Sequence, residues 1–95
     1  MPDWKKLMQI NFKKSFLKQL AKLPKDDREK IERFVFEELP EFNSIAESGK
    51  IEKMRGYDDY YQIRLGSYRV GLKFKDGEIV VEIVMHRKEI YRFFP

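Results

Sequence analysis

The amino-acid sequence predicts an α+β fold, a single domain over residues 1–95 of order β-α-α-β-β-β. A helical hairpin packs on one face of a small, mostly antiparallel twisted sheet. Three observations carry this. Apolar residues recur at helical spacing as far as Leu39, and from Tyr60 onward they alternate. Between the alternating runs lie Gly66-Ser67 and Asp76-Gly77, both of the composition that closes two-residue hairpins.

Taken in order, Lys5–Phe12 alternates as a first strand, with Leu7, Gln9 and Asn11 opposing Met8, Ile10 and Phe12. Asn11 suits an N-cap for a helix whose stripe is Phe12, Phe16, Leu20 and Leu23, with Lys13, Lys14, Lys18 and Lys22 on the solvent side. Pro24 ends it. Asp26 or Asp27 is the expected cap of a second helix, and Glu29 completes a capping-box pattern with Asp26. Ile31, Phe34, Val35 and Leu39 form its apolar stripe, Pro40 kinks or stops it, and a further turn runs through Ile45 and Ala46 to Gly49. An extended segment begins at Met54-Arg55-Gly56, and Tyr57-Asp58-Asp59 is a loop. Strands follow over Tyr60–Leu65, Tyr68–Lys75 and Glu78–His86. The near-continuous apolar run of the last implies cover on both faces.

Composition narrows the function classes. The chain has no cysteine and one histidine, which rules out disulfides, thiolate metal sites, a cysteine nucleophile and a histidine-rich metal centre. No apolar run approaches the length of a membrane span and no signal-peptide core opens the chain, so a soluble cytoplasmic protein is expected. The formal charge is +4. Up to Ser48 there are 10 basic and 9 acidic residues; after it there are 10 and 7, so the excess sits with the strands.

Alternation distributes that charge. Tyr61, Ile63 and Leu65, then Tyr68, Val70, Leu72 and Phe74, share the apolar face. The reverse carries Tyr60, Gln62 and Arg64, then Arg69, Gly71, Lys73 and Lys75, with no Asp or Glu between Tyr60 and Lys75. A cationic sheet face with aromatics beside it suits phosphate. It also suits nothing more than a solvated outer surface.

The order of elements, with YYQIRLGSYRVGLKF followed by HRKEIYRFFP, resembles the RelE/ParE superfamily of toxins from type II toxin–antitoxin pairs. The likeness runs through KSFLKQLAKLPKDDREKI and KMRG and so covers nearly the whole chain. It implies one of two activities. The RelE branch cuts messenger RNA in the decoding site of the small ribosomal subunit, and the ParE branch poisons DNA gyrase without cutting RNA. By resemblance, Arg64 stands where a catalytic lysine is often found, and Arg69 matches the arginine of a Tyr-Arg step. Arg87 and Tyr91 match the arginine and tyrosine of the HRxxxY-like segment. Gln62 departs from the pattern, since many relatives carry a second lysine there. A C-terminal helix present in some members is missing or reduced to a stub. The resemblance further implies a monomeric toxin held by an acidic antitoxin, mRNA and the small ribosomal subunit as partners, and no metal, cofactor or membrane.

Metal-free cleavage of RNA proceeds by attack of the 2′-hydroxyl on the adjacent phosphate. Arginine suits the charged transition state because its planar fork grips two oxygens and stays protonated, and each well-aimed donor contributes roughly 10²–10³ in rate. Arg64, Arg69 and Arg87 are the expected clamps, with Arg55, Gln62, Lys73 and Lys75 as further RNA contacts. The base is open. His86 is the one side chain whose ordinary titration range straddles neutrality, yet a lone histidine at a strand end equally fits a packed structural role. Tyr91 either serves the site or closes the core beside Phe93 and Phe94. Two other readings stand beside the nuclease: a gyrase inhibitor of the ParE kind, and a domain that binds RNA or antitoxin with weakened catalysis, which Gln62 favours.

Overall fold

The computed structural model describes residues 9–41 and 49–95. Its elements are β1 (Gln9–Phe12), α1 (Lys14–Ala21), α2 (Lys25–Glu32), β2 (Ile51–Lys53), β3 (Tyr60–Leu65), β4 (Tyr68–Lys75), β5 (Glu78–His86) and α3 (Ile90–Phe93). After α2 the helical path widens into a π turn over Arg33–Glu38 and tightens into a 3-10 turn at Leu39–Glu41 that contains Pro40. Among the described residues the strands form one sheet in the order β1-β5-β4-β3-β2, parallel only between β1 and β5. The expected helical turn at Ile45 and Ala46, and the first strand's start at Lys5, lie outside the described residues.

The helices cover one face. Phe16 and Leu20 of α1, with Ile31, Phe34, Val35 and Leu39, bury against Ile63, Leu65, Val70, Leu72, Ile79, Val81 and Val84. Each such side chain contributes about 1.5–3 kcal/mol relative to exposure. The apolar face anticipated from alternation is therefore the core face.

A bulge explains the long apolar run of β5. Gly71 pairs with Ile83 but Leu72 pairs with Val81, so Glu82 is an extra residue. The shift in parity lets Ile79, Val81 and Val84 all face the helices while Ile83 and Met85 face the other way. The hairpins follow the turn chemistry. Asp76 and Gly77 both take positive φ, 53° and 79°, as a type I′ turn requires, and Gly66 takes +62°.

The caps and the edge strand differ from expectation. Asn11 stays in β1, its amide donating to the Glu78 carboxylate at 2.6 Å, and α1 begins after Lys13 without a side-chain cap. Parallel pairing continues through Phe12↔Val81, and Lys13 N–H donates to the Val81 carbonyl, so the chain remains extended past Asn11. Phe12 thus packs on the core from a strand. Asp26 and Asp27 lie in the first turn of α2 behind Pro24, where they face the helix dipole instead of capping. The extended segment expected to begin at Met54 instead occupies Ile51–Lys53, because Gly56 at φ 86° turns the chain.

The second face is not wholly open. The tail folds back across it, burying Ile90 and Phe94 with Met54 against Tyr60, Ile83 and Met85. Gly71 makes room: a Cβ there would lie 2.7 Å from the Phe94 ring and 2.8 Å from Ile83. The last helix, α3, has four residues, and Tyr91 and Phe93 remain exposed.

Candidate functional site

Three arginines ring the turn between β3 and β4. Arg64 and Arg69 are direct cross-strand partners on the face away from the helices. Like charges so placed repel, and each guanidinium is engaged separately. Arg64 meets the Glu52 carboxylate at 3.2 Å. Arg69 Nη1 donates to the Gly66 and Tyr68 carbonyls at 2.8 and 2.9 Å, which folds it back over the turn. Arg87 follows β5, its backbone N–H donating to the Ser67 carbonyl at 2.8 Å and its side chain exposed. Arg64 also borders a depression of about 340 Å³ lined by Lys30, Arg33 and Lys50, with Glu38 at its rim. This end of the molecule is densely cationic.

Beside the arginines runs a polar chain that links β2, β3 and the tail. Gln62 is only 5% exposed. Its Nε2 donates to Tyr91 Oη at 2.9 Å and lies 3.5 Å from Glu52 Oε2. Its Oε1 is buried without a partner among the described residues. Tyr91 is thus held by its hydroxyl while the residue stays 69% exposed, which suits an aromatic that stacks on a base. Glu52 is the residue sequence reasoning missed. Its register opposite Gln62 is the decisive fact, and a three-residue edge strand is too short to reveal register by alternation.

Other expected residues lie elsewhere. His86 is the partner of Tyr68, and both share the helix side with Val70 and Val84. Its ring meets Tyr68 edge-on at 5.7 Å and its Nδ1 accepts from the Lys88 backbone N–H at 3.2 Å. Those are the contacts of a packed residue, and the structure does not bring His86 to the Arg64 and Gln62 face. Lys73 sits over the Tyr60 ring, and Lys75 pairs with Asp59 at 3.9 Å. Both share the outer face with Arg69, but Lys73 is four residues along β4 from it, about 13 Å at strand rise. Arg55 is exposed at the turn after β2. Lys13 is tied to Glu82 at 3.3 Å, while Lys14, Lys18 and Lys22 face solvent as expected.

A helical pair on one face of a five-strand sheet, with arginines and a tethered tyrosine at one hairpin end, defines a small basic α+β domain. Residues 10–91 match the family model of the ParE toxin of the type II toxin–antitoxin system, parDE. The chain is 38% identical over 89 residues to Toxin RelE3 of Methanocaldococcus jannaschii, covering 93% of this chain and all of that protein. Among solved structures it is similar to the RelB–RelE antitoxin–toxin complex from Methanococcus jannaschii, with 37% identity, TM-score 0.72, and 90% of this chain and 99% of that one covered. It is also similar to the archaeal RelE–RelB complex from Pyrococcus horikoshii OT3, with 26% identity, TM-score 0.63, and 85% and 96% covered. The chain belongs to the RelE/ParE toxin family and is the toxin of a RelE-like type II toxin–antitoxin pair.

Proposed function

We propose that this toxin is a ribosome-dependent endoribonuclease that cuts translated messages by metal-independent attack of the RNA 2′-hydroxyl. The observation that carries the reading is the placement of Arg64, Arg69 and Arg87 around one hairpin turn, with Tyr91 tethered to Gln62 on β3. Arg87, exposed at the turn, grips the scissile phosphate, and Arg69 backs it from a fixed position on the turn carbonyls. Arg64 joins them from its ion pair with Glu52. Tyr91 stacks on a base. Preorganised donors of this kind stabilise the pentacoordinate centre as charge develops, and alignment of the RNA by the ribosome supplies roughly 7–11 kcal/mol more. Arg55, Lys73 and Lys75 supply phosphate contacts without sequence preference. His86, on the other face, takes no part in the chemistry.

On this reading the chain is a single cytoplasmic domain, a monomer restrained by an acidic antitoxin that lies over the cationic face. The RelB–RelE complexes among its structural relatives support such a partner. Identity to RelE toxins supports the message-cutting branch. The ParE description of the family model supports a second reading, inhibition of DNA gyrase. Expression in cells with mapping of message ends separates the two. Cuts within codons of translated messages are expected, and double-strand DNA breaks with intact messages would establish the alternative. The purified protein should cleave free RNA poorly and ribosome-bound messages well; equal activity on both removes the ribosome from the mechanism.

A further inference from the structure

We propose that Glu52 is the proton acceptor of this reaction, with Gln62 as its positioning residue. The inference rests on the endoribonuclease reading. Guanidinium groups clamp a phosphate but cannot take a proton near neutrality, and His86 is on the wrong side of the sheet. Glu52 alone among the described carboxylates is bonded both to a proposed clamp and to the buried amide that holds Tyr91. Its Oε1 lies 3.2 Å from Arg64, and its Oε2 lies 3.5 Å from Gln62 Nε2.

This arrangement matches the demands of the chemistry. An RNA 2′-hydroxyl is adjacent to the phosphate it attacks, so a base must sit beside the phosphate clamp, and the Arg64–Glu52 pair puts the two in direct contact. A carboxylate offers about four lone-pair positions; the two contacts leave room for a hydroxyl donor. Gln62 is neutral, so it orients Glu52 without cancelling its charge. Buried and pinned at one end by Tyr91, it holds a fixed direction. Its Oε1 is buried without a partner among the described residues.

In the step itself the O2′–H bond breaks and its proton passes to Glu52 while O2′ bonds to phosphorus. The P–O5′ bond breaks and the departing oxygen takes a proton from water. The products are a 2′,3′-cyclic phosphate and a 5′-hydroxyl end, and Glu52 returns its proton to solvent. No electrons change hands.

Single-turnover cleavage of a message on programmed ribosomes tests this. Glu52→Gln should cut roughly 10²- to 10³-fold more slowly with ribosome affinity retained. Glu52→Ala should regain rate when formate or acetate is added and not when chloride is. An inactive wild-type chain overturns the endoribonuclease reading and this inference with it. An active wild type with an undiminished Glu52→Gln overturns the inference alone. A slowed Glu52→Ala that carboxylates fail to restore reduces Glu52 to a tether for Arg64 and likewise overturns it.

Discussion

The two faces of the central strands are built on different terms. On the helix side, side chains from β3, β4 and β5 meet Phe16, Leu20, Ile31, Phe34 and Val35 in a layer with no buried charge among the described residues. On the other side, cover comes from Met54, Ile90 and Phe94, and beside them Gln62 is buried with one acceptor unmatched. The helix side is filled by a large apolar layer, whereas the tail side combines a smaller apolar cluster with a hydrogen-bonded amide. Stability therefore belongs mainly to one face and the proposed chemistry to the other, and substitutions are expected to divide accordingly.

The largest effect should come from the helix side. Phe34→Ala, at a residue 1% exposed, should cost about 3–5 kcal/mol, measurable as a shift of the urea midpoint. That is a large share of the total for a domain of this size. A smaller loss would mean the core collapses around the cavity. Next, Gly71→Ala drives a methyl into the Phe94 ring and should cost about 1–3 kcal/mol by overpacking. In a Phe94→Ala background the same change should cost less, and equal costs in both would show that the tail yields freely. Gln62→Leu removes a buried amide whose acceptor is unpaired, so thermal unfolding should move by under about 1 kcal/mol. Tyr91 loses its tether, and a ring whose NMR environment does not change would contradict the bond. Smallest of all in stability is Arg64→Ala. Both members of its ion pair are about half exposed, so the expected cost is at most about 1 kcal/mol, while message cleavage should drop roughly 10²–10³-fold. Loss of stability and activity together would erase the contrast between the faces.

How far the sequence reveals this division depends on the range of the forces involved. The alternation from Tyr60 to Lys75 and the two hairpin turns are local, and they place Arg64, Arg69 and Gln62 on one face and Ile63, Leu65 and Val70 on the other. The resemblance to a toxin family points to Arg87 and Tyr91. What escapes is set by contacts distant in sequence. Asn11 reads as a helix cap until its strand is seen to pair with β5. His86 reads as a candidate base because the Glu82 bulge, which fixes the side on which it emerges, is invisible in a run of valines and isoleucines. Glu52 escapes because its partner Gln62 is ten residues away across a loop. Core packing of the tail is legible in its aromatics, but its seat is not, because Phe94 packs where Gly71 has no side chain.

The parallel pairing of β1 with β5 has a consequence for synthesis. Gln9 finds its neighbour in Glu78 and Phe12 in Val81, so the amino-terminal strand stays unmatched until β5 has been made. Neighbouring hairpins zip early, whereas so distant a pairing is entropically slow. Joining of the amino-terminal strand to the sheet is therefore a late event in folding.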